Sequence, residues 1–137
     1  MIRKYSINDY NDCKKIVLHD CQRDFVSPID KCLQRENTDK YVIYDEKIIG
    51  FAMTRFNKEY NNIFIWQLFI DKNHQRKGYG KEFIEYIITV AQKKNLDVVT
   101  TFKVSNKNME KLLFNLGFKV LYEHPDEIDM IYSSRIP

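Results

Sequence analysis

The spacing of apolar positions divides the chain into a helical opening, a run of strands and a closing alternation of helix and strand. Ile2 to Tyr5 reads as a short strand, and Ser6 with Asp9 three residues on forms a capping box that opens a helix. Tyr10, Cys13, Ile16, Val17 and Cys21 then recur at helical spacing. Ser27 and Pro28 repeat the start signal, as N-cap and first helical residue, and predict a second short helix through Cys32 and Leu33. From Tyr41 the pattern turns to strand: Tyr41 to Tyr44, a polar turn at Asp45-Glu46-Lys47, and Ile48 to Phe56 read as a hairpin. A polar loop from Asn57 to Asn62 leads into Ile63 to Ile70, the most apolar strand of the chain and therefore a central one. Residues 79–94 place Phe83, Ile84, Ile87, Ile88 and Ala91 on one helical face, and a strand at Asp97 to Val104 completes a β-α-β unit. Asn106 to Leu116 is a further helix, stopped by Gly117, after which Phe118 to Tyr122 and Asp129 to Ser133 complete the sheet.

This order predicts an α/β (α+β) fold, a single mixed and mostly antiparallel sheet of about six or seven strands flanked by about four helices. At 137 residues the chain is expected to form one domain, residues 1–137. Apolar residues at 44% supply a core, and only 4 Gly and 3 Pro exclude collagen-like and low-complexity chains. The apolar runs are interrupted within a few residues, far short of the roughly 20 that a membrane helix needs. Basic Arg3 and Lys4 are followed by no apolar segment, so the cytoplasm is the expected compartment and no membrane partner is expected. With 22 basic against 19 acidic residues, the net charge of +3 is too balanced for a dedicated nucleic-acid binder. Cys13, Cys21 and Cys32 form no CxxC pair and read as reduced thiols. His19, His74 and His124 have no partner at ligand spacing, so no metal is expected.

The chemistry concentrates in Gln75-Arg76-Lys77-Gly78-Tyr79-Gly80, between the most apolar strand and the most amphipathic helix. Glycines there let backbone N–H groups approach a ligand, and the helix N-terminus adds about half a positive charge, an arrangement suited to pyrophosphate. Lys72, Arg76, Lys77 and Lys81 would neutralise phosphate. The alternative is a tight turn with a solvated basic rim. Two other phosphate motifs fail: the dinucleotide fingerprint needs a third glycine where Phe83 stands, and a P-loop needs Ser or Thr where Glu82 follows Lys81.

Leu68-Phe69-Ile70, the Gln75-x-x-Gly78-x-Gly80 loop, Asn106 and Leu116-Gly117-Phe118 fall in the order and spacing of the GCN5-related N-acetyltransferases, and from Tyr41 to Tyr122 the chain resembles that family. Gly50 to Met53, Phe69 to Asp71 and Cys21 to Leu33 look most like its bacterial polyamine acetyltransferases. The resemblance implies a splayed cleft for acetyl-CoA as co-substrate, with pyrophosphate on Gln75, Arg76, Lys77, Gly78, Tyr79, Gly80 and Lys81. The pantetheine arm and thioester would lie along the backbone of Leu68, Phe69 and Ile70, and Asn106 would stand beside the pantetheine as a catalytic residue. The other reading of Asn106 is a helix N-cap.

Two departures from the family stand out. Many relatives carry a glutamate base on the strand equivalent to residues 63–70, which here has no carboxylate. Gln67 is assigned a catalytic role as organiser of a water chain, with Glu59 or Asp71 as remote proton sinks. The family's general-acid tyrosine, four residues before the Gly-Phe pair, is here Leu113, which reads as a core residue. Trp66, Phe69 and Phe114 likewise read as core, with lining of an acceptor tunnel as their alternative. The expected reaction is direct acetyl transfer in a ternary complex to a primary amine of a small molecule, with polyamines the first candidates. Between residues 20 and 40, five acids (Asp20, Asp24, Asp30, Glu36, Asp39) stand against four bases (Arg23, Lys31, Arg35, Lys40), an excess too small to fix the acceptor. The alternatives are a protein N-terminal or lysine acetyltransferase and a catalytically weak acyl-CoA-binding or regulatory module. A homodimer is compatible with all three.

Overall fold

The computed structural model describes residues 1–19 and 29–133. The strands are β1 (Ile2–Lys4), β2 (Asp39–Asp45), β3 (Lys47–Asn57), β4 (Asn62–Ile70), β5 (Asp97–Lys103), β6 (Lys119–Glu123) and β7 (Glu127–Tyr132). The described α-helices are α1 (Tyr10–Lys14), α2 (Ile29–Leu33), α3 (Tyr79–Lys94) and α4 (Lys107–Leu116). The seven strands make one mixed sheet in the order β1-β2-β3-β4-β5-β7-β6, with the apolar β4 at its centre as its composition requires. By contacts the chain divides into two compact units, Met1–Arg55 with Trp66–Phe83, and Phe56–Ile65 with Ile84–Pro137.

In the first unit, the capping box forms as expected: Asp9 Oδ2 accepts from the Ser6 N–H at 2.8 Å, and Arg3 grips both carboxylate oxygens of Asp9 at 2.8 Å. It opens a 3₁₀ turn, Ile7–Asp9, ahead of α1. The helix expected to run on through Ile16 and Val17 ends at Lys14. Tertiary bonding overrides the helical spacing here, because the Val17 N–H donates to Asp71 and the Val17 carbonyl accepts from the Lys72 N–H at 2.7 Å. Cys21, Ser27 and Pro28 lie outside the described residues. The hairpin turns through Glu46 alone, at φ 65, with Asp45 opposite Lys47. Cys13, Cys32, Val42, Phe51, Met53 and Phe69 pack as one buried cluster, with the Phe51 and Phe69 rings 5.5 Å apart. Burial with nearby Asp9 and Asp12 pushes the Cys13 thiol up to about 12, and burial also raises Cys32, so both are inert apolar fillers, as their sequence pattern implied.

In the second unit, Asn62–Ile65 pairs in parallel with Asp97–Thr100, and β5 pairs antiparallel with β7. The last two strands are each shifted by one to two residues from their expected bounds, an ordinary uncertainty at strand ends. Helix α4 begins at the Asn106 cap, whose Oδ1 accepts from the Met109 N–H at 3.1 Å, and ends at Gly117, at φ 100. Leu113, Phe118 and Met130 are buried in this unit. No helix among the described residues is long and apolar enough to cross a membrane.

Candidate active site

The first unit brings together most of the residues singled out by sequence: the second half of β4, the loop after it and the first turn of α3. Burial alternates along β4, so Ile65, Gln67 and Phe69 are buried while Trp66, Leu68 and Ile70 are half-buried. Gln67 is 9% exposed, a polar side chain in an apolar alternation, and its amide is engaged. A carboxamide has no ionisation in the working range, so it can orient water but not take up a proton. Gly50 explains how the end of β4 is accommodated: a Cβ on it would come within 3.0 Å of the Phe69 carbonyl oxygen and 2.7 Å of the Ile70 side chain.

Beyond Ile70 the chain is tied down before it turns. The Asp71 N–H donates to the Ile49 carbonyl at 2.7 Å. The Asp71 carboxylate accepts from the Val17 N–H at 2.9 Å and the Asn73 N–H at 3.2 Å, and lies 3.2 Å from His74 Nδ1. Burial alone would raise the Asp71 pKa, but these hydrogen bonds outweigh it and hold the group below the ordinary carboxylate range. Such an acid stays ionised and is a poor proton sink, which removes one of the two proposed from sequence. The other, Glu59, sits exposed on a 3₁₀ turn of the second unit. Gln75 donates its side-chain amide to the Ile70 carbonyl at 2.8 Å, clamping the loop to the end of the strand.

The turn itself is made by Arg76 and Gly78, both left-handed at φ 62 and φ 91. Gly80 differs from the expected turn glycine, because it lies inside the first turn of α3, where the helical backbone suits any residue. Its value is space. A Cβ built on Gly78 or Gly80 meets no atom within 4 Å, so the face of this turn is open. The first N–H groups of a helix have no acceptor within it, and in α3 these are the N–H groups of Tyr79, Gly80 and Lys81, ahead of the Glu82 N–H that bonds the Gly78 carbonyl. Lys72, Arg76, Lys77 and Lys81 are exposed, and none has an acidic partner among the described residues. Backbone donors, space and unpaired cations together fit a pyrophosphate. Tyr79 is committed elsewhere: its hydroxyl donates to Asp45 at 2.6 Å, which raises its pKa and fixes the hairpin end to α3.

Asn106 belongs to the second unit. Its Oδ1 is used as the α4 cap, which realises the capping alternative and leaves only the NH₂ end for other work. Leu113 is fully buried and its carbonyl accepts from the Gly117 and Phe118 N–H groups, so it is core, as its sequence position suggested. Phe114, read as core, is instead 48% exposed. Tyr122 is exposed and lies 4.6 Å from the His124 ring. No group of three or more metal-type side chains gathers among the described residues. Sequence reasoning missed the Asp71 clamp, although Asp71-x-Asn73 is a recognisable start for a side-chain-capped turn. It also missed Arg35 and Arg55, which flank Trp66 and carry no local signal.

Solved structures reproduce this architecture over nearly the whole chain. The ribosomal-protein-S18-alanine N-acetyltransferase from Escherichia coli superposes with a TM-score of 0.79 at 18% identity, covering 100% of this chain and 95% of that one. A protein assigned as a streptothricin acetyltransferase from Bacillus anthracis, solved with acetyl coenzyme A, gives 0.72 at 18% identity over 97% and 98% of the two chains. A mutant of the spermidine N-acetyltransferase SpeG from Vibrio cholerae gives 0.75 at 16% identity over 98% and 93%. At these identities the likeness is one of fold. No curated protein sequence matches the chain significantly. The family model described as "Acetyltransferase (GNAT) family" matches residues 4–118, which run from the last residue of β1 to just past α4 and include the whole loop just described, and the chain belongs to that family.

Proposed function

We propose that this chain transfers the acetyl group of acetyl-CoA to a primary amine of a small molecule, directly and within a ternary complex. The observation that carries the reading is the open turn at Gly78 and Gly80, rimmed by basic side chains that lack acidic partners. When bound, acetyl-CoA supplies the activated acyl group as a thioester. Arg76, Lys77 and Lys81, with the N–H groups opening α3, hold the diphosphate. Gln75 keeps that loop in register with β4 by its bond to the Ile70 carbonyl. The backbone of Leu68, Phe69 and Ile70 holds the pantetheine arm and orients the thioester carbonyl. One backbone donor aimed at the developing oxyanion is worth about 100- to 1,000-fold in rate. The Asn106 amide is assigned to the pantetheine, using the NH₂ group its capping bond leaves available.

In the transfer, the amine nitrogen bonds to the acyl carbon, the carbon–sulfur bond breaks and CoA leaves as a thiolate. An alkylamine of pKa about 10.4 is less than about one part in a thousand neutral at pH 7, so its proton must be removed first. Gln67 is assigned to order the water that carries it away. A second reading, a catalytically weak acyl-CoA-binding module, draws on the buried Leu113 and the lack of a carboxylate on β4. Calorimetric titration of CoA, followed by thiol release from acetyl-CoA with a panel of primary amines, separates the two. Acceptor-dependent thiol release is expected; binding without it for every amine tried would leave the module, and no binding at all would overturn both.

A further inference from the structure

Trp66, the only tryptophan of the chain, is half-buried on β4 immediately before Gln67. Two guanidinium groups pack on its ring: Arg55 Cζ from β3 lies 4.8 Å from the centroid, and Arg35 Cζ lies 5.0 Å from it. All three residues belong to the first unit. The Arg35 backbone is itself pinned, its carbonyl accepting from Lys40 Nζ at 2.8 Å and from the Thr38 hydroxyl at 2.9 Å. Lys40 thus places a further cation beside the Arg35 backbone. Of the described acids nearest in sequence, Asp39 pairs with Lys4 at 2.9 Å and Asp30 accepts from the Tyr10 hydroxyl at 2.5 Å, while Glu36 is exposed and pairs with neither arginine. Among the described residues, neither Arg35 nor Arg55 has a carboxylate partner. Stacking on an indole offsets part of the cost of holding like charges together and leaves the donor edges of each guanidinium unused.

We propose that Arg35 and Arg55, stacked on Trp66, are the specificity-determining residues for the acceptor and bind an oxyanion, a carboxylate or a phosphate group, that the acceptor carries in addition to its amine. The inference rests on the acetyltransferase reading above, in which the reacting thioester lies along β4 just after Trp66. Planar guanidinium groups match the two oxygens of a carboxylate or phosphate, and an acceptor with a second positive charge in this place would be repelled. The acceptor class is therefore an amino acid-like or aminoalkyl-phosphate-like molecule rather than a polyamine. Such a site disfavours the wrong acceptor by like-charge repulsion as well as favouring the right one.

Because Trp66 is the sole tryptophan, its fluorescence reports the site without any acetyl transfer. Titration of the full chain with γ-aminobutyrate and with aminopropylphosphonate is expected to change the emission saturably, the first probing a carboxylate source and the second a phosphate-like one. Butylamine and putrescine, of matched carbon length, are expected to give no saturable change. In thiol release, kcat/KM for the better anionic acceptor is expected to exceed that for putrescine by tenfold or more. Arg55→Gln and Arg35→Gln are each expected to reduce that preference about tenfold, mainly through KM, with Arg55→Lys restoring only part of it because the flat, forked donor set is lost. An equal fluorescence response to all four compounds, or a preference for putrescine that survives both Gln variants, overturns the proposal. The two readings fail separately. A saturable anionic response without thiol release rejects acetyl transfer but keeps the anion site, whereas efficient turnover of putrescine with no anionic response rejects the anion site alone. The wild-type titration decides even if a variant does not fold.

Discussion

Gly78 and Gly117 share an unusual backbone, φ 91 and φ 100, and each flanks a helix, Gly78 before α3 and Gly117 after α4. Their surroundings are opposite. A Cβ on Gly78 would meet nothing within 4 Å, while one on Gly117 would meet the Tyr132 ring at 3.3 Å. Gly117 ends α4, with its N–H returned to the Leu113 and Phe114 carbonyls, and the residues around it, Leu113 and Phe118, are core. Gly78 precedes α3 and opens on solvent among basic side chains. One glycine closes a helix by packing and the other starts one by leaving room. A left-handed glycine thus says only that the chain turns; what the turn is for depends on whether protein or empty space faces it.

The sharpest way to break that contrast is Gly80→Asp, two residues into the open turn. There is room for the side chain, and a carboxylate in the first turn of a helix is mildly stabilising, so the fold should hold or gain a few tenths of a kcal/mol. The same charge would face the phosphates, and the CoA dissociation constant should rise by about 100-fold, roughly 2.7 kcal/mol. Calorimetric titration beside a melting curve checks both; unchanged affinity in the folded variant would move the diphosphate off this loop. Gly117→Ala is the converse. Forcing a Cβ into the left-handed region, against Tyr132, should cost about 1 to 3 kcal/mol by denaturant unfolding and leave CoA affinity of the folded protein unaltered.

Leu113→Tyr sharpens the Gly117 side further. The variant restores the residue that many relatives carry, yet Leu113 is 0% exposed and its site has no space made for a larger, polar side chain. We expect a loss of about 1 to 3 kcal/mol and no gain in turnover, measured by unfolding and thiol release on the same preparation. A clear acceleration would show that this side of the α4 turn reaches the reacting sulfur after all.

The elements whose signals are local were legible in the sequence. Helix α3 has its predicted bounds because its apolar face repeats without conflict, β4 is central because it is apolar on both faces, and the Ser6 capping box and the Gly117 stop need only neighbouring residues. The early end of α1 was not legible, since it depends on Val17 bonding to Asp71 and Lys72, more than fifty positions away. Within the site, the glycine loop could be placed by motif, but the division of labour could not: Arg76 as well as Gly78 supplies the left-handed turn, and Gly80 supplies space. The Arg35–Trp66–Arg55 stack joins a loop residue to two consecutive strands and has no periodic or motif signature.

The smallest expected effect concerns the clamp at the base of the open turn. Burial pushes the Asp71 carboxyl up, but the Val17, His74 and Asn73 hydrogen bonds outweigh it and hold the group below the ordinary carboxylate range, so it is more acidic folded than unfolded. A depressed carboxylate contributes stability that is present above its unfolded pKa, about 3.9, and is lost as pH falls through the lower folded value. Asp71→Asn keeps the shape but removes the charge, and should lower stability at pH 7 by about 1 kcal/mol. Asp9 is shifted the same way, by Arg3 foremost, and will make the whole protein acid-sensitive, so only the difference between wild type and variant isolates Asp71. That difference should be full at about pH 5 and narrow below it as the wild-type carboxylate is protonated. Melting temperatures of both proteins above and below this pH provide the check. If the gap stays the same at pH 3 as at pH 7, the charge of Asp71 is not what ties Val17 to the start of the loop, and the clamp is held by the backbone bonds of Asp71 and Lys72 alone.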